Sequence, residues 1–185
     1  MEELTHSLET APVVQRGEYE YFVHPITDGI PVVSPALLRE IAGEIAQRVD
    51  FSTIDTILTA EAMGIHIATA VALETDRPFA IARKRSYGFD DEVAVHQETG
   101  YSENELYLNG LEPGQRVVII DDVISTGSTL AALSEAVEAC QATVEAIVVA
   151  IERTGDAEIP ELPVPVDPLI SVDVVDGRVR ILERG

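Results

Sequence analysis

Continuously apolar runs alternate along this chain with stretches whose apolar positions recur every three or four residues. That succession builds a parallel sheet covered by helices on both faces, an α/β fold with a twisted sheet and flanking helices. Residues 19–23 are a short β-prone run, closed by the turn-forming pair Asp28-Gly29. Ser34-Pro35 opens a helix, with Ser34 as N-cap and Pro35 at the first helical position. Leu38, Ile41, Ala42, Ile45 and Val49 give this helix an apolar stripe. Strand 54–59, turn 60–64, helix 65–73 and strand 79–82 follow. Residues 86–100 are polar and aperiodic and read as a long loop, a length at which loops often serve as lids. A short strand at 106–108, a turn at Glu112-Pro113-Gly114, strand 117–120, helix 130–140 and strand 144–151 complete the alternation. Prolines at 160, 163, 165 and 168 punctuate the tail, and residues 172–182 alternate around Asp176-Gly177, a hairpin signal. The tail is expected to form a small antiparallel piece beside the main sheet, joined by the N-terminal strand. The chain is expected to be one domain, with a core over about 34–159 and a small hood from about 1–33 and 160–185.

Charge alters this ordinary picture. Asp and Glu number 33 against 12 Lys and Arg, a formal net charge of -21, and Lys84 is the only lysine. Phosphate contacts to nucleic acid need clustered cations, so a nucleic-acid-binding role is not expected. The acids are spread along the whole chain, which suits a solvated surface that stays soluble at high salt. The single cysteine, Cys140, excludes an internal disulfide and a multi-cysteine zinc site. The first ten residues lack the basic and apolar regions of a signal peptide, and no apolar run approaches the ~20 residues of a membrane span. The expectation is a soluble cytoplasmic protein without a membrane partner.

The strongest chemical signal is VVIIDDVISTGST, residues 117–129. An apolar strand carries Asp121 and Asp122 at its carboxyl end, where open α/β sheets bind ligands. The turn Ser125-Thr126-Gly127-Ser128-Thr129 then opens a helix. It offers amides, hydroxyls and a helix N-terminus to a phosphate. Adjacent carboxylates suit sugar hydroxyls, or a metal that in turn holds pyrophosphate. A phosphate cradle beside two such acids describes a ribose 5-phosphate site. No Gly-Lys pair occurs, so a Walker-type nucleotide loop is excluded.

This segment resembles the phosphoribosyl pyrophosphate signature of type I phosphoribosyltransferases at every position of the pattern: strand, two acids, two apolar residues, a small residue, then Thr-Gly-x-Thr. The stretches YFVHPITDGIP, AMGIH, RKRSYG, TGYSENELY and VDGRV extend the likeness over nearly the whole chain, toward the archaeal hypoxanthine/guanine phosphoribosyltransferases. The resemblance implies purine salvage, magnesium as cofactor, phosphoribosyl pyrophosphate and a purine base as substrates, and a homodimer. It implies metal and ribose contacts for Asp121 and Asp122. It assigns the turn Ala60-Glu61-Ala62-Met63-Gly64 to pyrophosphate, although Met63 stands where adenine enzymes carry an arginine. Hypoxanthine-guanine enzymes of other lineages carry an Asp where this chain has Ser125, which brings the motif closer to adenine and xanthine enzymes. Arg83, Lys84 and Arg85, the one basic cluster, are either pyrophosphate contacts or partners of the abundant acids. Glu98, near the end of the long loop, either lies by the reacting base or is solvated. The base is expected to stack near residues 169–172. His24, His66 and His96 have no metal-ligand spacing and read as structural. A regulator that senses phosphoribosyl pyrophosphate without catalysis is the reading from another class.

Overall fold

The computed structural model describes residues 1–17, 19–99, 102–155 and 159–184. Helix α1 (Glu2–Glu9) opens the chain. It has little apolar surface, only Leu4 and Leu8 one turn apart, and both are fully buried. Its first amides are satisfied from outside: Glu3 and Leu4 N–H donate to the Glu40 carboxylate at 3.1 and 2.8 Å. A helix this short needs tertiary support of that kind, which explains why periodicity alone does not reveal it.

Strands β1 (Val13–Arg16) and β2 (Tyr19–Phe22) pair only with each other, as an antiparallel hairpin. The short helix α2 (Pro25–Asp28) leads to α3 (Pro35–Arg48), where the Ser34 hydroxyl caps the Leu37 amide at 3.1 Å. Leu37, Ile41, Ala42 and Ile45 face the core. Strand β3 (Thr56–Ala60), α4 (Gly64–Thr75) and β4 (Phe79–Ala82) follow. Strands β5 (Val93–Thr99) and β6 (Ser102–Leu108) form a second antiparallel hairpin. The chain continues through β7 (Arg116–Ile124), α5 (Ser128–Ala139), β8 (Thr143–Arg153), β9 (Val166–Val175) and β10 (Arg178–Arg184).

The central sheet runs β10-β9-β8-β7-β3-β4. Every pairing is parallel except β9–β10. Both faces are covered, which is why its strands show no alternation in sequence. Ile57, Val118, Ile120 and Val148 pack toward α3 and α4. Leu58, Val117, Ile119 and Val149 pack toward α5 and the β5–β6 hairpin.

Three expectations change. Residues 93–99 of the expected long loop are a strand, because β5 gains a partner in β6 that sequence spacing does not disclose. The tail does not sit beside the main sheet: β9 starts at Val166 and pairs in parallel with β8, and only β10 reverses. Pro168 is tolerated in β9 because β10 pairs only from Ile170 onward, so no neighbour on that side needs its missing N–H. The N-terminal strands do not join this sheet. Instead Arg153, ending β8, donates to the Glu20 carbonyl at 2.7 Å and lies over the Tyr19 ring at 3.8 Å, holding the β1–β2 hairpin.

His24 locks the N-terminal part together. Fully buried, it caps α2 by accepting the Ile26 N–H on Nδ1 at 3.2 Å. The Nε2 proton then donates to Ser7 Oγ of α1 at 2.9 Å. Burial depresses its pKa from 6.5 to about 4, with Asp28 opposing. The unfolded chain therefore takes up the proton first. The stability this neutral ring contributes is complete above pH 6.5 and drains away as the pH falls toward 4, about 3 kcal/mol in all. Melting temperatures from pH 7 to 4 should fall accordingly. His24→Asn, which keeps a capping oxygen but cannot be charged, should flatten that part of the slope; an unchanged slope would exclude His24 as its source.

Candidate functional site

Strands β3 and β7 lie side by side and parallel, so the turns at their carboxyl ends are neighbours. Each turn delivers a twelve-residue helix whose N-cap residue makes no side-chain cap bond among the described residues. Met63 precedes α4 and Gly127 precedes α5. Two helix N-termini, each carrying partial positive charge and amides without intrahelical partners, thus converge on one edge of the sheet. Gly127 adopts φ +74, the left-handed conformation glycine favours, and residues of the tail close over it. A Cβ there would meet Ile159 Cγ2 at 2.9 Å and Pro160 Cδ at 3.0 Å.

Asp121 and Asp122 lie toward the carboxyl end of β7, as expected, although the strand runs on past them to Ile124. Asp121 is 5% exposed, and its Oδ1 accepts the Asp122 N–H at 3.0 Å. Burial raises the pKa of both carboxyls. Asp122 is pushed well up, by desolvation first and then by the charge of Asp121. Two half-dry carboxylates in contact form a place where a positive partner would lower the energy.

Gly64 brings the two turns together. A Cβ on it would lie 2.0 Å from Thr59 Oγ1, 2.8 Å from Asp121 Oδ1 and 3.4 Å from the Ile120 carbonyl oxygen. Only a glycine lets α4 begin against the Asp121 carboxylate. The Thr59 hydroxyl is buried there without a hydrogen-bond partner.

The basic cluster divides into three environments. Arg83 Nε lies 2.8 Å from Glu61 Oε2, an ion pair out of hydrogen-bond alignment. Its backbone bridges to Tyr107 of β6 in both directions, at 2.8 and 2.7 Å. Lys84 is exposed, with no ion pair among the described residues. Arg85 turns away to Tyr87, donating to its hydroxyl at 3.3 and 3.1 Å and lying over its ring.

The structure therefore brings together 60–64, Asp121, Asp122, 125–129 and, through Glu61, Arg83 and Lys84. It leaves Arg85 on the outer loop. The backbone of Glu98 is in β5; its side chain, with Gly100 and Tyr101, lies outside the described residues. Sequence reasoning places Thr59 at the head of the 60–64 turn without its contact to Gly64, and it missed the Ile159-Pro160 cover and Glu92. Glu92 accepts from Asn109 Nδ2 (2.9 Å), the Ser86 hydroxyl, the Tyr87 amide (2.9 Å) and the Gly88 amide (3.3 Å). Those donors, Asn109 and Ser86 foremost, hold its pKa down at about 2. One acid among 33 acidic residues carries no mark in the sequence that distinguishes it.

Among the described residues no helix is long and apolar enough to cross a membrane. Residues 33–176 match the family model described as phosphoribosyl transferase domain. The chain is 55% identical over 180 residues to the hypoxanthine/guanine phosphoribosyltransferase of Methanocaldococcus infernus, covering 96% of this chain and 98% of that one. It is 50% identical over 187 residues to HGPRTase-like protein 2 of Halalkalicoccus jeotgali, covering 100% and 99%. Among solved structures, adenine phosphoribosyltransferase from Rhodothermus marinus superposes with a TM-score of 0.74 at 26% identity, covering 92% of this chain and 97% of that one. With its sheet, its motif strand and its paired strand-end turns all in place, the chain belongs to the phosphoribosyltransferase family.

Proposed function

We propose that the protein is a purine salvage phosphoribosyltransferase, taking hypoxanthine or guanine and phosphoribosyl pyrophosphate to the nucleoside monophosphate and pyrophosphate. The observation that carries this is the pair of helix N-termini, at Gly64 and Ser128, flanking Asp121 and Asp122. Two anion cradles with carboxylates between them match a ligand that has a phosphate at one end, a pyrophosphate at the other and sugar hydroxyls in the middle. The names of relatives at about 50% identity support the choice of hypoxanthine or guanine.

Ser125, Thr126, Gly127, Ser128 and Thr129 would take the 5-phosphate, and Ala60, Ala62, Met63 and Gly64 with Arg83 and Lys84 the pyrophosphate end; Glu61, whose carboxylate is turned to Arg83 and the Lys84 amide, would make no contact with it. Asp121 and Asp122 would face the ribose hydroxyls and hold magnesium. The donor set fits that ion. Magnesium keeps several waters and typically uses only one or two carboxylates beside phosphate oxygens, and among the described residues no third His, Cys, Asp or Glu joins this pair. When bound, magnesium would neutralise charge on the departing pyrophosphate. The residues themselves act by holding C1 of the ribose between leaving group and purine, in water-poor surroundings where fixed dipoles count for more. Residues 1–33, the N-terminal part of the expected hood, would cover the base, with Glu98 approaching it; the tail would take no part, because β9 and β10 complete the central sheet and Leu169, Ile170 and Val172 are fully buried in its core. We further propose a cytoplasmic homodimer adapted to high salt, in keeping with the charge of -21.

One second reading has support. Ser125 aligns the motif with adenine and xanthine enzymes, and the structural neighbour described above and others are adenine phosphoribosyltransferases. Incubation with phosphoribosyl pyrophosphate, magnesium and each purine base at high salt separates the readings. Product with hypoxanthine or guanine is expected. Product from adenine or xanthine alone would move the substrate assignment, and tight binding of phosphoribosyl pyrophosphate without any product would identify a regulator.

A further inference from the structure

Glu61 is an acid in the wrong place for an anion site. Its neighbours in the β3–α4 turn, Ala60, Ala62, Met63 and Gly64, are uncharged. A free carboxylate among them would repel pyrophosphate. The structure disposes of this charge internally. Glu61 Oε2 faces Arg83 Nε at 2.8 Å, Oε1 accepts the Lys84 N–H at 2.6 Å, and the Glu61 N–H donates to the Ala82 carbonyl at 3.0 Å. The side chain is only 19% exposed. Three tethers from one residue thus lash the end of β4 and the two residues after it to the turn after β3.

The tethering is one-sided at Arg83. The ion pair engages the Nε edge of the guanidinium, and no bond among the described residues engages its two Nη groups. The backbone bridge to Tyr107 fixes the other side of the residue. Arginine recognises phosphate through two parallel N–H donors. A guanidinium held at Nε with its Nη groups unengaged is set up for that geometry, and ordering the side chain beforehand removes an entropic cost of binding.

We infer that Glu61 is a positioning residue that pins Arg83 and the Lys84 amide beside the β3–α4 turn so that the Nη edge of Arg83 meets the pyrophosphate end of the substrate. The inference rests on the phosphoribosyl pyrophosphate reading above. Glu61 touches no substrate; it acts through its two basic neighbours.

Steady-state kinetics on the whole chain test this, with phosphoribosyl pyrophosphate varied at saturating purine and with inorganic pyrophosphate as inhibitor. In Glu61→Ala, KM for phosphoribosyl pyrophosphate and Ki for pyrophosphate should each rise about tenfold, the loss of one charge-assisted contact. KM for the purine should stay close to wild type, and kcat should fall far less than KM rises. Glu61→Gln keeps an acceptor for the Lys84 amide and should show about a threefold effect. In an Arg83→Ala background, Glu61→Ala should add little, since residues acting through one another are non-additive. If Glu61→Ala melts early, Glu61→Gln and the Arg83 cycle decide. Tighter inhibition by pyrophosphate, equal changes in purine KM, full additivity with Arg83→Ala, or unchanged kinetics would each overturn the assignment. A wild-type protein that shows no saturable use of phosphoribosyl pyrophosphate would instead remove the parent reading.

Discussion

Gly64→Ala is expected to lower turnover about a hundredfold while leaving a folded protein. The added Cβ would stand 2.0 Å from Thr59 Oγ1 and 2.8 Å from Asp121 Oδ1. Neither neighbour can yield cheaply. Thr59 is fully buried in a central strand and β-branched, so its rotamers are few. Asp121 is buried, and its Oδ1 is engaged by the Asp122 amide. The start of α4 must therefore lift, carrying the turn and the carboxylate with it. Misplacement by about 1 Å in a positioning site costs on the order of 10²-fold in rate, and overpacking of this kind typically costs about 1–3 kcal/mol of stability. The double variant Thr59→Ala/Gly64→Ala removes the obstructing hydroxyl and should regain part of the rate. Wild-type turnover in Gly64→Ala would mean that the close approach of α4 to Asp121 has no functional weight.

Asp121→Asn and Asp122→Asn should lose activity and gain stability together. Removing a preorganised charge that interacts with the reacting groups costs on the order of 10²–10³ in kcat. The stability effect runs the other way. Both carboxyls have pKa values raised above the ordinary 3.8 by burial, Asp122 further by its neighbour's charge. A raised value means the folded protein holds its protons more tightly than the unfolded chain. The contribution to stability is therefore intact below about pH 4 and erodes as the pH climbs through the folded values. At neutral pH, without divalent cations, each wild-type carboxylate works against folding, and an amide of the same shape removes that penalty. Every kcal/mol relieved is worth about 2–4 °C in a chain of this size. Calorimetry from pH 4 to 8 should show both variants melting higher than wild type at neutral pH, by a margin that shrinks toward pH 4. A lower melting temperature, or unimpaired turnover with phosphoribosyl pyrophosphate and magnesium, would defeat the idea that these acids trade stability for chemistry.

The mirror image of His24 follows the same logic. There, burial favours the neutral ring and acid weakens the fold. At Asp121 and Asp122, burial favours the neutral acid and alkali weakens it. Both classes of buried group carry an electrostatic cost, but only the aspartates lie where a bound cation can lift it.

Elements with local signals could be read from the residues alone. The cap and stripe of α3, the apolar runs of β3, β4, β7 and β8, and the Ser-Thr-Gly-Ser-Thr turn are written in adjacent residues, because helix caps, strand burial and glycine turns depend on near neighbours. Those same residues marked 60–64 and 125–129 as anion cradles. The remaining features depend on partners distant along the chain. Strand β5 exists because β6 pairs with it. Helix α1 holds because Glu40 caps it from 36 residues away. Strand β9 enters the main sheet because β8 receives it in parallel. The function of Gly64 is set by Thr59 and Asp121, and that of Glu61 by Arg83 and Lys84. Contacts of this length close large loops and leave no periodic trace, so their energy becomes visible only once the chain has folded.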